Sequence, residues 1–165
     1  MIRNSLIGKD LSELEEYCIS YNFPKFHGNQ LYKWMYNKYI FDMDLMTNLP
    51  EDLKKEINKE FIFSTLKIND RKISKLDNTI KYLFETNDNK LIESVSMIDG
   101  NRHTICLSSQ IGCSVDCSFC ATGKMGIIRN LDAGEILEQL LKINNDRKTP
   151  ITNLVFMGMG EPFLN

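Results

Sequence analysis

Nowhere in these 165 residues is there an apolar run approaching the roughly 18 residues that a helical membrane span requires. The N-terminal stretch MIRNSLIGKDLSELEE reaches its acidic residues before any apolar core of signal-peptide length, so no export signal is read there. Excess charge of either sign is missing too. The formal net charge is −2; residues 1–60 carry 8 Lys/Arg against 10 Asp/Glu, residues 61–100 carry 6 of each, and residues 101–165 carry 6 of each. No basic half announces a nucleic-acid face, and the one local cluster, Lys67, Arg71, Lys72 and Lys75 in LKINDRKISK, reads as a solvated strand or loop. Repeats and low-complexity tracts are absent. The five cysteines cannot all pair within the chain, and three of them crowd together, which argues against a disulfide framework and for a metal or redox site in a reducing cytosol. The expectation is a cytoplasmic protein with no membrane segment, long enough for one buried domain or one domain plus a small accessory one.

The hydrophobic period changes along the chain. To about Phe61 it is helical. LSELEEYCISY puts Leu11, Leu14, Cys18 and Tyr21 on one face, with Ser12 and Glu15 as a capping box. GNQLYKWMYNKY aligns Leu31, Trp34 and Met35, and LPEDLKKEINKEF opens with Pro50 in its first turn and buries Leu53, Ile57 and Phe61. Cys18 and Trp34 read as core residues. From residue 62 to 100, TLKINDRKIS, TIKYLFET and KLIESVSMI carry β-branched and aromatic residues between turn signals, and RHTICLSS continues the series, predicting an antiparallel meander. Residues 101–165 then read as strand, loop, helix and strand. The helix LDAGEILEQLLKINN is capped by Asp132 and apolar at Ile136, Leu140, Leu141 and Ile143; the second strand spans Leu154–Met157.

Cys113, Cys117 and Cys120 form C-x3-C-x2-C on the loop between that strand and helix. Structural zinc sites close with four ligands, often as paired knuckles, and here there is no second C-x2-C and only His103 nearby. A ferredoxin cluster also takes four thiolates. A triplet leaves one iron of a [4Fe–4S] cluster open to bind a ligand, and Phe119 beside the last cysteine suits a shielding role. On spacing alone, zinc and cluster readings both stand. MGMGEP ends the next strand, where glycines let the backbone approach a ligand and a carboxylate can pair with an amino group.

Together, SSQIGCSVDCSFCATG, RNLDAGEI, ITNLVFMGMGEPFLN and the N-terminal FPKFHGNQLYKWMYNK resemble the RlmN/Cfr family of radical S-adenosylmethionine (radical SAM) RNA methyltransferases. The resemblance implies an α/β fold: a helical accessory domain (1–61), a small antiparallel β segment (62–100), and the start of a partial (β/α)6 barrel (101–165), truncated after its second strand. It implies that Cys113, Cys117 and Cys120 hold a [4Fe–4S] cluster whose open iron is chelated by SAM, and that Gly160 and Glu161 contact SAM. It also implies methylation of adenine C2 in large-subunit rRNA and tRNA. The 5′-deoxyadenosyl radical attacks a methyl group carried on a C-terminal cysteine, Glu93 accepts the C2 proton, and Cys106 resolves the protein–RNA link by forming a disulfide. An electron donor such as flavodoxin and a monomeric enzyme follow from the same likeness. Alternatives are C8 methylation as in Cfr, or a non-catalytic zinc-binding RNA adaptor. The 165-residue fragment alone is expected to form no product, since the methyl-bearing cysteine lies beyond Asn165.

Overall fold

The structure, a computed structural model, describes residues 4–165. Its contacts divide the chain into two units between Thr65 and Leu66.

In the first unit, β1 (Asn4–Ser5) pairs in parallel with β2 (Phe61–Ile62), and between them lie α1 (Leu11–Ser20), α2 (Phe26–Tyr32) and α3 (Glu51–Glu60). The cap of α1 differs from the expected Ser12–Glu15 pair. Asp10 accepts from the Glu13 N–H at 2.9 Å while the Glu13 carboxylate accepts from the Asp10 N–H at 2.8 Å. Asp and Ser cap comparably well, and the helix begins one residue before Ser12. The helix expected over GNQLYKWMYNKY is an α-helix only to Tyr32 and continues as a π turn over Lys33–Asn37. Pro50 stands just outside α3 as its cap. The core packs Leu14, Cys18, Leu31, Met35, Leu53, Ile57 and Phe61 together, with Trp34 partly buried against them.

The second unit is built on a five-stranded mixed sheet of order β3-β4-β5-β6-β9. The first four strands, β3 (Leu66–Ile73), β4 (Ile80–Thr86), β5 (Leu91–Asp99) and β6 (Arg102–Cys106), form the expected antiparallel meander. After β6 the chain makes a ribbon of β7 (Gln110–Gly112) and β8 (Ile127–Asn130), enters α4 (Ala133–Arg147), and returns as β9 (Asn153–Val155) parallel to β6. The strand expected over Leu154–Met157 is thus shorter and shifted: past Val155, whose carbonyl accepts the Leu107 N–H at 2.8 Å, the chain leaves the ladder and is next bonded to it at Gly158, whose N–H donates to the Leu107 carbonyl at 3.1 Å. The strands on either side of residue 100, where the sequence pattern changes, share this one sheet.

Helix α4 is capped by Asp132, as expected, in a full capping box with Glu135. Its inward side is more polar than the expected Ile136–Ile143 stripe. Leu141 and Ile143 are buried, Ile136 and Leu140 are half-buried, and Glu135, Glu138 and Gln139 are buried with them. The core combines Tyr82, Phe84, Ile92, Ile105, Leu107 and Ile143. Among the described residues no helix is long and apolar enough to cross a membrane. Arg71 pairs with Asp146, and Lys67 and Lys72 are exposed on β3, so the basic cluster is a solvated edge.

Candidate active site

Two loops meet at the carboxyl end of β6. The first, residues 113–126, carries the three clustered cysteines and is closed at its base by the β7–β8 ribbon, where the Cys113 N–H donates to the Gly126 carbonyl at 3.1 Å. Gly112 makes that closure possible. Its φ is +78°, and a Cβ there would lie 1.8 Å from the Gly126 oxygen. Cys117 and Cys120 are joined by a turn in which the Cys120 N–H donates to the Cys117 carbonyl at 3.0 Å. Cys113 is buried, Cys117 and Cys120 are half-exposed, and all five cysteines are free. The N–H groups of Gly123 and Thr122 hold the Cys120 thiol below its ordinary pKa by favouring the thiolate. Phe119, expected to shield the site, is 90% exposed.

The second loop, Gly158–Glu161, is stitched onto the segment between β6 and β7. Gly158 N–H donates to the Leu107 carbonyl (3.1 Å), Met159 N–H to Ser108 Oγ (2.9 Å), and Ser109 N–H to the Met159 carbonyl (2.9 Å). Glu161 N–H donates to Gln110 Oε1 at 2.9 Å. Gly160 has φ +98° and presses on the Gln110 side chain, with a would-be Cβ 2.6 Å from Gln110 Cβ. The half-exposed Glu161 carboxylate accepts from the Phe163 N–H at 3.1 Å.

Glu93 and Cys106 share one face of the sheet. Cys106 pairs with Val95, and Glu93 lies two residues from Val95 on the same strand. The opposite face carries Ile92, Ser94 and Ser96 into the core. Glu93 forms an ion pair with Lys81 at 2.8 Å, both about half-exposed. Burial pushes the Cys106 thiol up in pKa, partly offset by the Met157 N–H. Cys18, in the first unit, is pushed up to about 11 by burial and then by Glu15, as befits a core thiol.

His103 is settled by its contacts. Its Nδ1–H donates to the Thr149 carbonyl at 3.1 Å, which leaves Nε2 to accept from Ser96 Oγ at 2.8 Å, so both ring nitrogens are used in the core. Among the described residues no three His, Cys, Asp or Glu side chains converge tightly enough to hold a metal ion. The donor set still suits an iron–sulfur cluster: three free thiols on one anchored loop, with neither a disulfide nor an available imidazole competing.

Sequence reasoning misses the buried amides and hydroxyls that join these parts. Gln139 Oε1 accepts from Ser94 Oγ (2.6 Å) and the Ser108 N–H (2.9 Å), while its Nε2 donates to the Ser108 carbonyl (3.0 Å). Ser108 Oγ donates to the Glu93 carbonyl at 2.5 Å. Arg129 clamps Asp88 and Glu135 with bonds of 2.7–3.0 Å. The only signal for them is the polar run Ser108–Gln110 between a strand and the cysteines.

Comparison with known proteins now decides the family. Residues 4–62 match the "Ribosomal RNA large subunit methyltransferase N-terminal domain" family. A "Probable dual-specificity RNA methyltransferase RlmN" of Pseudothermotoga lettingae is 45% identical over 141 residues, covering 86% of this chain and 41% of that protein. Its counterpart from Petrotoga mobilis is 39% identical over 166 residues, covering 100% and 48%. The crystal structure of a radical SAM methyltransferase from Sphaerobacter thermophilus superposes with a TM-score of 0.91 at 39% identity, covering 98% of this chain and 48% of that one. The chain is of RlmN type and carries that family's N-terminal domain. It spans about half the length of the RlmN relatives it matches. In that setting, the mixed sheet with its β6–α4–β9 crossover is consistent with part of the barrel of a radical SAM methyltransferase.

Proposed function

We propose that this chain supplies the cluster loop, the SAM-facing glycine loop and the resolving thiol of a methyltransferase acting on adenine C2 in large-subunit rRNA and tRNA through a methyl-cysteine intermediate. One observation carries the reading: a single segment, Leu107–Gln110, is bonded to the glycine loop on one side and runs into the cysteine loop on the other, directly after Cys106. The names of the RlmN relatives support RNA as substrate and more than one class of it.

Cys113, Cys117 and Cys120 would hold a [4Fe–4S] cluster, and Gly160 with Glu161 would receive SAM, the carboxylate pairing with its ammonium. When bound, the cluster would supply the electron that cleaves a carbon–sulfur bond of SAM and would take back the unpaired electron of the resulting adduct. The chain's own residues then act on the protein–RNA adduct. Glu93, ion-paired with Lys81, accepts the proton from C2. Cys106, giving up its proton in the step, attacks the sulfur of the methylene-bearing cysteine. A sulfur–sulfur bond forms, the carbon–sulfur bond breaks, and its electron pair stays with the methylene carbon, which is protonated to methyl. A reducing cytoplasm returns the Cys106 disulfide to the thiol after each cycle, with a flavodoxin-like electron donor and a monomeric enzyme.

The experiment is Cys106→Ala in this chain joined to the C-terminal half of an RlmN relative. The variant is expected to accumulate RNA tethered to protein, a slow band on a denaturing gel that ribonuclease collapses. Normal release of methylated adenine would show Cys106 to be a packed core thiol.

A further inference from the structure

Gln110 sits where the two loops of the site cross, and every polar atom of its side chain is used. It is 2% exposed. Its Oε1 accepts the Glu161 N–H at 2.9 Å, and its Nε2 donates to Asn130 Oδ1 at 2.9 Å and to the Leu164 carbonyl at 3.3 Å. Asn130 is also its register partner across the β7–β8 ribbon that closes the cysteine loop. Gly160 at φ +98° lies against the Gln110 Cβ and Cγ, so the glycine loop is seated on this one side chain by both packing and hydrogen bonding. Only Ile111 and Gly112 separate Gln110 from Cys113.

A buried primary amide is costly unless each of its groups is paired, and this one is paired toward both loops at once. Its carbonyl faces the glycine loop, and its NH2 faces the ribbon and the turn after Glu161. Reversing the amide would set its NH2 against the Glu161 N–H and its oxygen against the Leu164 carbonyl, so the orientation is fixed by its neighbours.

We infer that Gln110 is the positioning residue that fixes Glu161 relative to the cysteine loop, so that the SAM ammonium and the cluster edge are presented in one geometry. The inference rests on the reading of Gly160 and Glu161 as SAM contacts. Gln110 touches neither reactant; it acts through the Glu161 backbone, and its loss is felt as a displaced carboxylate rather than a missing one. Ser108 and the backbone of Ser109 hold Met159, but the Glu161 N–H is held by Gln110.

The test uses the 165-residue chain, with three readouts: hydrogen exchange at the Glu161 amide without cofactor, SAM affinity by titration calorimetry after anaerobic reconstitution, and iron per chain. Gln110→Met keeps the volume and removes all three side-chain hydrogen bonds. It is expected to unprotect the Glu161 amide and weaken SAM binding roughly fivefold or more, the loss of about one hydrogen bond, at unchanged iron content. Gln110→Glu keeps an acceptor facing Glu161 and is expected to restore most of that amide's protection. Glu161→Gln tests the underlying reading separately. SAM affinity unchanged in Glu161→Gln, or no SAM bound by the unaltered chain, overturns that reading. Weakened binding in Glu161→Gln with unaltered affinity and amide protection in Gln110→Met overturns the role of Gln110 alone. Iron lost in step with SAM affinity in both Gln110 variants also overturns it, since that is the mark of a merely structural side chain.

Discussion

Five thiols of one chain differ in chemistry because their surroundings differ. Cys18 and Cys106 are buried and their thiols are pushed up, Cys18 to about 11, so both present little thiolate near neutrality. Cys117 and Cys120 are half-exposed. In the metal-free chain, brief iodoacetamide treatment at pH 8 followed by peptide mass spectrometry is expected to mark Cys117 and Cys120 first and Cys18 last. Labelling of Cys18 at the rate of Cys120 would contradict the packing described for the first unit. Replacing Cys113, Cys117 or Cys120 by Ala is expected to abolish iron uptake, while Cys18→Ala leaves it unchanged; iron counting on the four variants checks this. At this scale the three clustered cysteines were legible from spacing and Cys18 from its helical face. Gln110, Ser108 and Gln139 were not. A buried polar residue carries no hydrophobic period, and its partners are up to 54 residues away.

The elements that carry the site are held by features of unequal visibility. The meander was readable because β-branched residues alternate between turn signals, and α4 because Asp132 and Glu135 make its start explicit. The β7–β8 ribbon was not, since its strands have three and four residues and its closure depends on a glycine oxygen rather than an apolar pattern. Gly112→Ala tests the ribbon. The left-handed φ alone costs roughly 1–2 kcal/mol, and the contact with Gly126 adds to it. Loss of iron uptake with an unchanged hydrogen-exchange pattern over residues 11–60 is expected. Arg129 is the second tie, joining the β4–β5 turn at Asp88 to the start of α4 at Glu135. Arg129→Met would leave the buried Glu135 carboxylate without its guanidinium, an expected loss of roughly 1.5–3 kcal/mol in denaturant unfolding. The Arg129 guanidinium also holds the Asp88 carboxyl well below the usual carboxylate range. A depressed folded pKa gives stability that is full above the unfolded value of about 4 and is lost as pH falls through the folded one. Acid unfolding should therefore steepen below about pH 4, and Asp88→Asn should flatten that limb. An identical acid limb in the variant would show that the pair is screened by solvent.

Taken whole, the chain joins a helical unit with its own core to a sheet unit in which one covered face builds the fold and the other presents Glu93 and Cys106. The cysteine and glycine loops follow the carboxyl ends of β6 and β9, the parallel pair of the sheet, where α/β folds gather their ligands. That end was located from sequence because glycines and cysteines mark it. The bonds that make the two loops one site were visible only in three dimensions. The claim on which the rest depends is that this site holds an iron–sulfur cluster. Its most direct test is metal analysis with electron paramagnetic resonance on the chain reconstituted anaerobically with iron and sulfide. About four irons per chain, a brown protein, and a reduced spectrum that changes on adding SAM are the expected result. A colourless protein holding one tightly bound zinc would contradict it.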